Sequence, residues 1–139
     1  MISIKRSARV LTIVGTLTLA STSAAVATYS FATLSTTGAS LSSGQAQFYN
    51  PNTQGTKFYY SGNLNDTAND GNNPFVHAKV AGYGYATRIY NTKGPGTSLA
   101  MNQTVSDPAG DGFSNANVQV CRDRGTLYPD NCVDRNFYV

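Results

Sequence analysis

The segment NVQVCRDRGTLYPDNCVDRNFYV, Asn117 to Val139, holds both cysteines of the chain in two strand-like runs separated by a turn-rich loop. From Asn117 to Arg122 polar and apolar residues alternate, the period of a strand with one face buried. Val118 and Val120 share one face; Asn117, Gln119 and Cys121 take the other. Beyond the loop, Val133, Phe137 and Val139 fall on one face with Arg135 among them. Cys132, Asp134, Asn136 and Tyr138 fall on the opposite face. Setting Cys121 across from Cys132 in an antiparallel hairpin puts Val120 opposite Val133, Val118 opposite Arg135 and Ala116 opposite Phe137. A slip of one residue would turn one apolar set to water, so the pattern predicts this register. It also predicts a Cys121–Cys132 disulfide closing a short loop.

The start of the chain points to a compartment where such a bond persists. Met1–Arg9 carries Lys5, Arg6 and Arg9 and no acid, and Val10–Ala20 is apolar except for Thr and Gly. Small residues then lead to Ala25-Val26-Ala27. A basic start, a short apolar run and an A-x-A site predict a secretory signal peptide over residues 1–27. The run is short for a membrane span, and no Cys stands at the cleavage point to carry a lipid. The expected product begins at Thr28, is secreted and extracellular, and has no membrane association after cleavage. Two cysteines in an exported chain fit one structural disulfide.

Cleavage changes the charge. The net +3 of the whole chain comes from Lys5, Arg6 and Arg9, leaving seven basic residues against seven aspartates and no Glu. A neutral domain gives no footing for nucleic acid. Residues 28–44 are rich in Ser, Thr and Ala and uncharged, which predicts an extended, partly mobile lead-in. A single β domain is expected over residues 45–139, small enough that the disulfide matters to its stability.

Within that domain, short runs of Tyr, Phe, Val and Thr are separated by Asn, Asp, Gly and Pro clusters. They predict strands at Ala46–Tyr49, Thr56–Ser61, Phe75–Gly82, Tyr85–Tyr90, Ser98–Val105, Ala116–Arg122 and Val133–Tyr138. In the third, Val76, Ala78 and Val80 face inward, and His77 and Lys79 face outward. No window has a sustained helical period. The fold class is all-β, a small antiparallel sandwich or barrel with one disulfide. A shift of 41 residues lays Tyr49–Gly71 on Tyr90–Gly112 without a gap, matching D-x-A-x-D-G at Asp66–Gly71 with Asp107–Gly112. The match predicts two related strand–turn–strand units with the acidic loops at equivalent ends.

Those loops offer the first candidates for chemistry. Asp66, Asp70, Asp107 and Asp111 are spaced as at the front of a calcium loop. However, the third position is Ala68 or Ala109, and the twelfth is His77 or Val118 in place of a bidentate Glu. Asp and Gly also gather in turns for backbone reasons alone, so no metal and no cofactor is expected. His77 is the only histidine and reads as a surface residue. No nucleophile elbow, zinc set or phosphate loop occurs. Seven aspartates in turn contexts leave a small Asp-dependent hydrolase as an alternative without selecting a pair. Asn65-Asp66-Thr67 and Asn102-Gln103-Thr104 match glycosylation sequons; the Thr- and Ala-rich leader resembles bacterial ones, which would make the match coincidental.

Two surfaces could bind. Tyr59, Tyr83, Tyr85 and Tyr90 could form an aromatic face for a glycan or a protein. The loop between the cysteines presents Arg122, Arg124, Leu127 and Tyr128 on a braced scaffold, as a protease inhibitor would. In the plain structural alternative, its arginines pair with Asp123, Asp130 and Asp134. The leader, Val118, Val120, Cys121 and Cys132 together resemble small secreted bacterial β-domain proteins ending in a V-x-V-C…C disulfide hairpin. That resemblance implies an extracellular location and carries no functional residues. The expected function is non-enzymatic: extracellular binding or an envelope-associated role, with an unknown extracellular protein or glycan as partner.

Overall fold

In the computed structural model, which describes residues 28–49 and 56–139, the cysteine hairpin has the register that its alternation predicts. Cys121 pairs with Cys132, Val120 with Val133, Val118 with Arg135 and Ala116 with Phe137, and the disulfide is formed. The expected leader lies outside the described residues.

Among the described residues nine strands follow one another: β1 Thr28–Phe31, β2 Leu34–Thr36, β3 Ala39–Tyr49, β4 Lys57–Asp66, β5 Pro74–Val80, β6 Ile89–Tyr90, β7 Ser98–Ser106, β8 Asn115–Arg122 and β9 Asn131–Tyr138. They form two antiparallel sheets. One has the order β1-β3-β4-β7, with β2 also on β3; the other has the order β6-β5-β8-β9. The fold is therefore the sandwich form of the all-β class. The core lies between the sheets: Leu41, Phe48, Phe58, Tyr60 and Leu64 from the first meet Val76, Val80, Val118, Val120 and Phe137 from the second. Phe58 sits at its centre, with ring centroids 5.1 Å from Phe48 and 5.5 Å from Phe137.

The first sheet begins at Thr28, which corrects the domain start expected near Gln45. Residues 28–44 supply β1, β2 and the start of β3, and Phe31, Leu34, Ala39 and Leu41 are buried. The cause is a bulge. β3 pairs Ser42 with Asn63 but Gln45 with Ser61, so it carries one extra residue, and Ser43 takes φ 53° there. An extra residue reverses the facing of every side chain beyond it. Ala39 and Leu41 face the core before the bulge, Ala46 and Phe48 after it, so no single period-2 pattern spans the strand. Gly62 lies opposite the bulge, where a Cβ would stand 2.9 Å from the Ser42 carbonyl oxygen.

The 41-residue match is realised in a different form from the expected pair of hairpins. It maps Ser61 onto Asn102, and those residues face each other across β4 and β7. The matched strands therefore lie side by side, antiparallel, about a local two-fold axis. The flanking contacts obey it: the Asp66 amide donates to the Thr97 carbonyl at 3.0 Å, and the Asp107 amide to the Thr56 carbonyl at 3.2 Å. Each aspartate also accepts from the amide two residues on, Ala68 at 3.2 Å and Ala109 at 2.9 Å. The repeat stops there, because β3 precedes β4 in the same sheet whereas β6, which precedes β7, belongs to the other. The acidic loops thus sit at opposite ends of one strand pair.

Candidate functional site

The outward face of the β6-β5-β8-β9 sheet carries three rows of side chains set by strand register. Phe75 lies beside Cys121 and Cys132, His77 beside Gln119 and Asp134, and Lys79 beside Asn117 and Asn136. After β5 the chain turns at Gly82, with φ +85°, and returns along the edge of β5, the Ala86 amide donating to the Ala78 carbonyl at 2.8 Å, so that the Tyr85 side chain reaches over this face. The stretch Tyr85–Arg88 is therefore a strap, and only Ile89–Tyr90 of the strand expected over Tyr85–Tyr90 is β structure.

The strap puts Tyr85 flat on His77, with centroids 4.0 Å apart and planes within 9°. The Tyr85 hydroxyl donates to Asn117 Oδ1 at 2.8 Å, and Asn117 Nδ2 donates to Asp134 Oδ2 at 2.6 Å and Asn136 Oδ1 at 2.9 Å. The Lys79 ammonium lies 4.6 Å from the Tyr85 centroid. Burial, and then the charge of Asp134, raises the Tyr85 hydroxyl above its ordinary pKa. His77 has the facing expected of it but not the exposure, because the strap leaves it only 6% accessible. Its Nε2 lies 2.8 Å from Gln119 Oε1.

Burial lowers the His77 pKa, the Gln119 contact opposes this, and the Arg88 charge lowers it further. The unfolded chain therefore binds the proton more readily than the folded one. The stability contributed by neutral His77 is complete above the unfolded value of about 6.5 and is lost as pH falls through the lower folded value. Thermal midpoints of the wild type should fall from about pH 7 to pH 5, and His77→Gln should flatten that decline. Equal slopes would remove His77 from the account. Asp107 acts only at more acid pH. The Tyr83 hydroxyl, and then the Ala109, Gly112 and Gly110 amides, hold its carboxyl below the ordinary range.

The loop from Asp123 to Asp130 stands at one end of this face, fixed on both sides. Arg88 reaches Asp130 at 3.2 Å and lies 4.2 Å over the ring of buried Phe75. Arg88 Nη1 donates to the Tyr90 hydroxyl at 3.3 Å, which donates to Asp123 Oδ2 at 3.2 Å. Within the loop, the Gly125 amide donates to Asp123 Oδ1 at 2.8 Å and the Arg124 amide to Asp130 Oδ1 at 3.3 Å. The disulfide closes its base. At the tip Leu127 is 87% and Tyr128 61% exposed.

The four loop residues singled out in the sequence part company. Arg122 turns away, its guanidinium paired with Asp70 and its Nε buried without a partner. Arg124 stays exposed, its guanidinium 5.2 Å from the Tyr128 centroid. The expected aromatic face also divides. Tyr85 and Tyr90 lie on this face, Tyr83 lies at the edge beside Asp107, and Tyr59 is on the outward side of β4 in the other sheet. Which sheet a tyrosine joins depends on topology, and local pattern does not encode that. Phe75, Arg88, Asp123 and Asp130 also belong to this site, although no sequence motif marks them. Their signal was the shared facing of Phe75, His77 and Lys79, which becomes useful only once β5 is paired with β8.

Three of the four calcium candidates, Asp66, Asp70 and Asp107, are engaged locally, and Asp111 is exposed. Asp66 and Asp107 hold their own turns, Asp70 accepts the Asn72 amide at 2.9 Å and pairs with Arg122, and Asp107 Oδ2 also accepts from Gly112. Among the described residues, no three His, Cys, Asp or Glu side chains are grouped as metal ligands, and no helix is long and apolar enough to cross a membrane. No protein-family model, curated protein or solved structure matches the chain.

Proposed function

We propose that the chain is an exported, non-enzymatic binding protein whose contact point is the loop from Asp123 to Asp130, and that its partner is an extracellular protein. The observation that carries this reading is the exposure of Leu127 and Tyr128 at the tip of a loop whose two flanks and base are all tied down. Large apolar side chains are expensive to leave in water. A loop already held in shape loses little freedom on binding. Tyr and Arg anchor protein interfaces more often than other side chains do. A sugar would need an open ring face to stack on, and Arg124 occupies one face of Tyr128. The non-enzymatic reading is supported by the commitment of Asp66 and Asp107 to turns, of Asp70 to Arg122 and of Asp130 to Arg88. Export rests on the leader and the disulfide.

Immobilised protein is to be challenged with the secreted and envelope proteins of the producing cell, and the captured species titrated. Leu127→Ala with Tyr128→Ala should weaken that binding by about 30-fold or more, as for two anchor side chains. Equal affinity for the double variant would overturn the assignment of the loop. A protease partner is one form of this reading. Because Arg122 is paired with Asp70, only Arg124 can enter a trypsin-like pocket. Stoichiometric loss of trypsin activity that Arg124→Ala abolishes would identify that form.

A further inference from the structure

Among the described residues the sandwich has four kinds of sheet edge, and three are protected. β1 and β2 are only four and three residues long, and β6 is only two. β9 is longer but carries Asp134 and Arg135 in succession. Short strands and charges are the usual defences against pairing with a further strand. β7 has neither. It runs nine residues, Ser-Leu-Ala-Met-Asn-Gln-Thr-Val-Ser, without a charge, a Pro or a Gly. It pairs with β4 over all nine without a shift in register. Among the described residues, no other backbone group bonds to it between Ser98 and Ser106.

We propose that the free edge of β7 pairs with β7 of a second copy of this chain, antiparallel and centred on Asn102. The choice of occupant comes from the 41-residue match. On its covered edge β7 already pairs with β4, the segment that resembles it, about a local two-fold axis at Ser61 and Asn102. A second β7 on the free edge repeats that arrangement with identity in place of likeness, which is the isologous geometry of a two-fold dimer. Centring on Asn102 is the register that overlaps the whole strand. It sets Leu99 opposite Val105, Met101 opposite Gln103 and Ala100 opposite Thr104, so core-facing residues meet core-facing residues. A groove of about 390 Å³ beside the edge, lined by Ile89, Leu99, Ala100, Met101, Asn102 and Gln103, gives the incoming side chains a place to pack. The outward row, Ser98, Ala100, Asn102, Thr104 and Ser106, is exposed and uncharged, so no like charges meet across the axis.

Sedimentation equilibrium of the purified protein over a wide concentration series should record a shift from monomer to dimer mass. In Asn102→Lys the two introduced ammonium groups face each other at the axis, and the protein should stay monomeric throughout; Asn102→Asp should behave alike. An equimolar mixture of the two variants should recover the dimer, because opposite charges then meet. Circular dichroism melts confirm that each variant is folded, and recovery in the mixture does so independently. A wild type that remains monomeric up to about millimolar concentration would overturn the proposal. So would a dimer that neither substitution disturbs, since its contact would then lie elsewhere.

Discussion

Phe58→Ala is expected to destabilise the domain by about 3–5 kcal/mol, the range for removing a large buried ring. Phe58 is fully buried and its ring lies between Phe48 of its own sheet and Phe137 of the facing one. Truncation removes the apolar contact that holds the sheets together and leaves a cavity that neither rigid sheet can close. The adjacent Tyr59 points away from the core and is only half-buried, so Tyr59→Ala should cost about 1 kcal/mol. Denaturant midpoints for the two variants measure the contrast. Similar losses at both positions would mean that Phe58 is not the centre of the core.

The second large effect is expected from replacing both cysteines. Cys121→Ser with Cys132→Ser should lower stability by about 3 kcal/mol, the loop entropy returned to the unfolded chain. Against the 5–15 kcal/mol (about) that such domains have in total, this is a clear drop in midpoint. The location of the bond sharpens the expectation. It sits on the outward face of its sheet, with Val118 and Val120 pointing the other way, so its removal opens no cavity between the sheets. The β8–β9 register should therefore survive the loss. Equal midpoints for oxidised wild type and double variant would refute a structural role.

The parts of this fold that were legible in the sequence are those where one uninterrupted alternation meets another. β8 and β9 are the clearest case, because a one-residue slip would expose Val118 and Val120 or Val133 and Phe137. The parts that were not legible have identifiable causes. The bulge at Ser42–Gln45 changes the phase of β3 midway, which hid the strand and with it β1 and β2. Phe31 and Leu34 are single apolar residues in a Ser/Thr stretch, too weak a pattern to fix a strand. The alternation along β5 sets the face of His77, but its burial depends on a strap whose path is set by Gly82 and by contact with Ala78. The candidate site suffers most from this. Arg88, Tyr90, Asp123 and Asp130 are neighbours only because β6 pairs with β5 and β5 with β8, and no spacing in the chain announces that.

The Tyr29 hydroxyl donates to the Tyr138 carbonyl at 3.1 Å, which joins the first and last strands at one pole of the sandwich. β9 runs from the Asp123–Asp130 loop to that pole, a distance of about 25 Å at the usual rise per residue. Anything fused before Thr28 or after Val139 would therefore grip the domain from behind and leave Leu127 and Tyr128 aimed outward. A tether at either end would leave that loop facing away from its support, whereas one fixed through a side chain near Arg124 would turn the loop toward it.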